Sequence, residues 1–149
     1  MKQALAALAL TLAASPALAD DDIINVPATG SVAEVADRLV AAIEDAGATV
    51  FARVDHAGGA ETAGLELAPM ELVIFGNPKL GTPAIQDSPM AGLALPMKVL
   101  IWEDDAGAVQ LSYQDPEEML DEVGVDDDLP VIAQMEGALK KLTGAAAGE

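Results

Sequence analysis

His56 is the only histidine of the chain, and it directly follows Asp55. An imidazole beside a carboxylate suits a general base or a metal ligand. Lys79 stands in a stretch rich in Gly and Pro, Phe75-Gly76-Asn77-Pro78-Lys79-Leu80-Gly81-Thr82-Pro83. An ammonium there suits an anion or a carboxylate, helped by free N–H groups if a short helix starts at Thr82-Pro83. Asn77 and Thr82 fit the roles of turn and cap residues. Lys98 falls inside an apolar run and needs an acidic partner or a path for its ammonium to water. Trp102, Phe51 and Phe75 are the aromatic candidates for an apolar pocket, or for core or dimer packing. Tyr113 with Glu103 and Asp115 supplies a hydroxyl and two carboxylates, the elements of acid–base work. In a chain this acidic, carboxylates also meet by chance. The candidate ligand-binding set is therefore His56, Asn77, Lys79, Thr82, Lys98, Trp102 and Tyr113.

Other chemistries are excluded or disfavoured by what the chain lacks. It has no cysteine, so disulfides, iron–sulfur ligation and thiolate zinc are ruled out. One histidine does not make a closed structural zinc site. Methionines 70, 90, 97, 119 and 135 are too widely spaced for a soft-metal motif and fit core filling. No nucleophile elbow, P-loop, dinucleotide fingerprint, zinc-protease motif or EF-hand is present. No cofactor and no metal are expected.

Charge is the strongest compositional signal. The 149 residues carry 25 acids against 7 bases, a formal net charge of −18. Nucleic acid and anionic membranes would repel such a surface, whereas a cationic protein partner is electrostatically possible. Residues 1–19 read as an export signal: Lys2, an apolar run from Ala4 to Ala14, a break at Ser15-Pro16 and a small-residue site Ala17-Leu18-Ala19. The run is shorter than the roughly 20 apolar residues of a membrane span. The expected mature chain is one domain, residues 20–149, periplasmic or secreted, with no membrane attachment after cleavage.

The elements that must position the candidates follow from periodicity and punctuation. Ile23 to Val26, before Pro27, reads as an edge strand. Ser31 and Glu34 form a capping box for a helix from Val32 to Ala46, stopped by Gly47, with Asp37, Arg38, Glu44 and Asp45 facing water. Thr49 to His56 reads as a strand with Val50, Ala52 and Val54 on one face and Phe51, Arg53 and Asp55 on the other. Ala57 to Gly64 is a loop or a helical turn. Met70 to Gly76 and Met97 to Glu103 read as strands. Between them, Lys79 to Gly81 makes a turn, and Thr82 is the N-cap of a short helix. Asp104 to Gly107 is a hairpin turn leading to a strand that ends at Tyr113. Asp115-Pro116 starts a helix stopped by Gly124, and Pro130 opens the last helix, ending at Gly144.

The expected class is α+β, an antiparallel sheet with helices on one face. Val73 and Phe75 lie on one face of their strand and Leu72 and Ile74 on the other. The Val99 to Trp102 run is apolar on both faces in the same way. The second face therefore needs cover, and a homodimer through the sheet is expected, with a hydrophobic ligand as the alternative.

The Phe75-Gly76-Asn77-Pro78-Lys79 run, the Gly81-Thr82 pair, Leu95-Pro96-Met97-Lys98, and Tyr113 followed by Asp115-Pro116 occur in an order that resembles domain-of-unknown-function family 302. The resemblance covers about residues 49–116. It implies a β-α-β(4)-α domain similar to half of the TATA-box-binding-protein-like fold, and a dimer. It implies no activity, and the fold likeness carries no DNA-binding role in so acidic a chain. The function expected is a small binding or accessory domain for a small ligand or a protein partner, rather than an enzyme. The alternatives are a cofactor-free enzyme using His56, Lys79 and carboxylates, and a periplasmic metal-handling protein.

Overall fold

The computed structural model describes residues 22–148; the expected export signal lies outside them. The chain enters at β1 (Ile23–Ala28) and turns at Gly30 into α1 (Val32–Asp45). The Ser31 capping box forms: the Glu34 N–H donates to the Ser31 hydroxyl at 3.3 Å, and the Ser31 N–H donates to the Glu34 carboxylate at 2.8 Å. Two of the helix's orphan donors are thereby satisfied. Val35, Ala36, Leu39 and Ile43 make a fully buried stripe on α1. Each large aliphatic buried this way contributes about 1.5–3 kcal/mol.

Next come β2 (Thr49–Asp55), α2 (His56–Thr62), β3 (Met70–Gly76), α3 (Pro78–Asp87) and α4 (Ala91–Ala94). They are followed by β4 (Met97–Glu103), β5 (Val109–Gln114), α5 (Pro116–Asp121) and α6 (Pro130–Ala147). The five strands form one sheet in the order β1-β5-β4-β3-β2, every neighbouring pair antiparallel. β2 to β5 are therefore a meander, and β1 joins at the β5 edge. The long helices α1 and α6 pack together over one face of this sheet. The architecture is the expected α+β arrangement: α3 and α5 occupy the connections where short helices were read, α2 takes the helical alternative for residues 57–64, and α4 is added.

Register decides which side chains meet the helices. Phe75 pairs with Met97, Val73 with Val99 and Ile101 with Leu111, and all six are buried under α1 and α6. The alternate residues Leu72, Ile74, Leu100 and Trp102 lie on the other face, half-buried, with Val54 beside them. The two-sided apolarity read in the sequence is thus present, and the second face is open within one chain.

Four local expectations are corrected. The simple alternation along β2 fails, because a register shift lies between Val50, opposite Phe75, and Ala52, opposite Ile74. Phe51 is the extra residue of this bulge, so Val50 turns to the helix side while Ala52 and Val54 face the open side. His56 does not end the strand: Asp55 is an N-cap, its carboxylate accepting from the Gly58 N–H at 2.8 Å, and His56 is the first residue of α2.

The third correction concerns residues 77–87. Asn77, not Thr82, caps the helix there: its side-chain oxygen accepts from the Lys79 N–H at 3.0 Å, and Pro78 takes the first helical position. The Asn-Pro pair offers the same cap-and-proline signal as Thr82-Pro83, five residues earlier, and the earlier start wins. Lys79 to Gly81 is therefore helix rather than turn, and Pro83 sits inside it.

The fourth correction is the end of α6, which passes Gly144 and reaches Ala147, with Gly148 left-handed at φ +91°. Its last carbonyls find partners far away in sequence. Arg38 Nε donates to Ala146 O at 2.8 Å, and the Thr29 N–H donates to Ala147 O at 3.1 Å. Arg38 Nη2 also donates to Thr29 O at 2.5 Å, so Arg38 spans from α1 to the helix end instead of facing water.

Candidate functional site

β3 ends and β4 begins at the same end of the sheet, and there the packing leaves a cavity of about 720 Å³. Phe51 and Phe75 form one wall. Phe51 reaches it because the β2 bulge re-aims its side chain. Leu80 and Ile85 of α3 form the second wall, placed by the Asn77 cap. Met135, Leu139 and Leu142 of α6 form the third, on the same helix stripe that packs against α1. Leu95 and Pro96, joined by a cis peptide bond, complete it ahead of Met97.

The polar groups on this lining are few: the Asn77 and Thr82 side chains and Lys141. Among the described residues, no Asp or Glu lines it. Its size falls within the range of about 300–1,000 Å³ usual for small-ligand sites, which are also mostly apolar with a few polar groups.

The seven candidates read from the sequence divide among several places. Asn77 and Thr82 lie on the cavity lining. Lys79 is exposed in the first turn of α3, between the lining residues Pro78 and Leu80. A helix start at Thr82 does not exist to assist it, and its own N–H is taken by Asn77. Lys98 has no acidic partner; its ammonium donates to the carbonyls of Ala94 at 2.8 Å and Pro96 at 3.3 Å.

Trp102 lies on the open sheet face. Its indole N–H donates to Ser112 Oγ at 2.7 Å, and Ser112 Oγ donates to Asn25 Oδ1 at 2.5 Å. Tyr113 is buried on the helix side, and burial pushes its phenol above the ordinary value. Glu103 does not join it: Glu103 pairs with Val109 at the far end of β5.

His56 sits at the opposite end of the sheet from the cavity, after β2. A shallower depression of about 520 Å³ there is lined by Asp55, Glu61, Glu66 and Glu71. The sequence candidates therefore do not form one catalytic constellation, and His56 and Lys79 do not share a site.

Sequence reasoning missed the α6 wall and Lys141. Met135, Leu139 and Leu142 were legible as a buried stripe, but a stripe does not say that part of it borders a cavity. Another grouping unread in the sequence is Asp115, Glu117 and Glu136, whose carboxylate oxygens lie within 4.8 Å of one another. Burial first, then the Asp115 and Glu117 charges, push the Glu136 carboxyl above its ordinary value.

Comparison with known proteins adds the family. The model of the family described as Domain of unknown function DUF302 matches residues 24–146, well beyond the 49–116 core that carries the motifs. Fluoride-specific ion channel FluC 1 of Brucella suis biovar 1 (strain 1330) is 41% identical over 132 residues, 87% of this chain and 52% of that protein. Fluoride-specific ion channel FluC 1 of Brucella abortus biovar 1 (strain 9-941) is 41% identical over 132 residues, 87% of this chain and 48% of that protein. The chain spans about half the length of the curated relatives it matches. A crystal structure of an uncharacterized conserved DUF302 protein from Bacillus stearothermophilus superposes with a TM-score of 0.75 at 18% identity, over 83% of this chain and 97% of that one. That likeness shows the fold.

Proposed function

We propose, for a chain that belongs to the family of the domain of unknown function DUF302, that it is a small exported binding domain holding an apolar ligand between α3, α6 and the β3–β4 end of the sheet. The observation that carries this reading is the cavity of about 720 Å³ with apolar walls and no carboxylate on its lining. Apolar walls of this extent gain packing contacts when an apolar ligand lies between them. The polar side chains on the described lining are Asn77, Thr82 and Lys141, which suits the binding of a mostly apolar ligand.

The domain acts as a dimer on this reading, with Leu72, Ile74, Leu100 and Trp102 covered by a second copy. Export rests on the residue pattern of the first nineteen positions. Native mass spectrometry of the protein purified from its own host tests the proposal. A dimer mass, a mature chain starting at Asp20 and a bound small molecule are expected. Ala138 is half-buried on the cavity lining, and Ala138→Trp fills the space without removing a core side chain. The variant is expected to fold and to lose the bound molecule. Retention of the molecule by the variant counts against the cavity as its site.

The channel names of the relatives favour a second reading. About half of each relative lies outside the match, and no helix among the described residues is long and apolar enough to cross a membrane. On this reading the shared domain stands beside a channel in those proteins, and this chain serves a separate channel as an accessory. Affinity purification of the tagged chain from solubilised host membranes tests it. Recovery of a channel subunit supports the reading, and recovery of the chain alone overturns it.

A further inference from the structure

The cavity also carries one of the few positive charges of this acidic chain. Of the six bases among the described residues, Arg38 is spent on the α6 carbonyls and Arg53 on Asp37 and Glu71. The other four are lysines, and they differ in their relation to the cavity. Lys141 lines it. Lys140 precedes Lys141, Lys79 stands between the lining residues Pro78 and Leu80, and Lys98 follows the lining residue Met97. Lys98 pairs with Ile74, so its side chain leaves β4 on the open sheet face, and its ammonium is held by the carbonyls of Ala94 and Pro96.

Among the described residues the ion pairs are those of Arg53, and no carboxylate is paired with a lysine. The acids that neighbour lining residues in sequence do not compensate. Glu136 groups with Asp115 and Glu117, and Asp45 is exposed at the end of α1. Within a net charge of −18, this apolar concavity has a cation, Lys141, and no carboxylate on its lining among the described residues.

Resting on the proposed binding role, we infer that the ligand is a free amphipathic acid, an apolar body in the cavity with a carboxylate at the Lys141 rim. Charge complementarity decides the class: a cationic amphiphile meets the Lys141 ammonium, and a neutral one leaves it unused. Low local dielectric at an apolar wall strengthens the contact between an ammonium and a carboxylate. A ligand presented by an anionic membrane is disfavoured, since the remaining surface is strongly negative.

Isothermal titration of the intact dimer with octanoate, octanol and octyltrimethylammonium tests the inference. Octanoate is expected to bind at least about fivefold more tightly than octanol, as for one partly exposed ion pair, and the cation most weakly. Lys141→Met is expected to bring octanoate binding down to that of octanol measured on the same variant, and Lys141→Arg to keep the preference. Equal binding of octanoate and octanol, or preference for the cation, overturns the ligand class while leaving the cavity as a binding site. Failure of all three probes to bind, with Ala138→Trp indistinguishable from the parent, overturns the binding role itself. Cosedimentation with phosphatidylglycerol vesicles in preference to octanoate uptake overturns the free-acid source.

Discussion

Phe51 lies against the bare backbone of Gly76: a Cβ placed on Gly76 would stand 3.1 Å from Phe51 Cε2 and 3.5 Å from Pro96 Cβ. Both residues border the cavity, so the missing side chain of one positions the ring of the other. Gly76→Val is expected to push Phe51 off this wall. Phe51 is 58% exposed and free to swing, and Val suits a strand, so stability is expected to change by less than about 1 kcal/mol. Binding of an apolar probe is expected to weaken several-fold. Calorimetric titration together with a thermal melt separates the two effects; a large stability loss with unchanged binding counts against the assignment.

Arg38 holds the end of α6 through Ala146 O and the β1–α1 connection through Thr29 O. Arg38→Met keeps the stem and removes the donors. A charge-assisted bond to a carbonyl supports about 1–2 kcal/mol in a partly buried site. A loss of that size in urea unfolding is expected. Amide exchange is expected to accelerate selectively in the last turn of α6. Uniform acceleration across the chain would speak against a local clasp.

Glu136 gives the stability a particular pH dependence. Its folded carboxyl has a raised pKa, from burial and from Asp115 and Glu117. The folded state therefore holds this proton more tightly than the unfolded state. Its contribution is complete below the ordinary carboxylate value and is lost as pH rises through the raised one. Glu34, bonded by the Ser31 N–H and hydroxyl, and Asp104, bonded by the Ala108 and Ala106 N–H groups, are lowered and act in the opposite sense. Their stabilisation is present at neutral pH and lost as pH falls through their depressed values. A melting-temperature maximum near about pH 5 is expected. Glu136→Gln is expected to flatten the rise between neutral pH and that maximum and to leave the acid-side fall intact.

The open sheet face contains the chain's single tryptophan, so its emission reports on cover. Light scattering at micromolar concentration is expected to give twice the chain mass. Leu100 lies between Leu72 of β3 and Ser112 of β5, and Leu100→Glu places a charge at the centre of the face. That variant is expected to be a folded monomer with red-shifted Trp102 emission. A monomeric parent protein would falsify the dimer.

Much of the fold was legible because its signals are local. The Ser31–Glu34 capping box, the Asp104 hairpin and the Asp115-Pro116 helix start each lie within five residues. The structure has each of them where the sequence places it. The α3 start was misplaced by five residues because two cap-and-proline pairs compete, and only Asn77 has a neighbour N–H oriented to fill its side chain. The candidate site was half legible. Asn77 and Thr82 do line the cavity, but His56, Trp102 and Tyr113 belong to other parts of the fold.

What the sequence determined by itself is the order and type of the main elements, the acidic surface, and the two apolar faces of the central strands, since periodicity and capping act over a few residues. What only the tertiary structure decided is where the packing stops short. The Phe51 bulge, the α6 end clasped by Arg38 from 108 residues away, and the placing of Lys141 of α6 on one cavity with Phe51 and Leu80 all depend on contacts between distant segments. A cavity is a failure of several elements to meet, and no single segment carries the pattern for it.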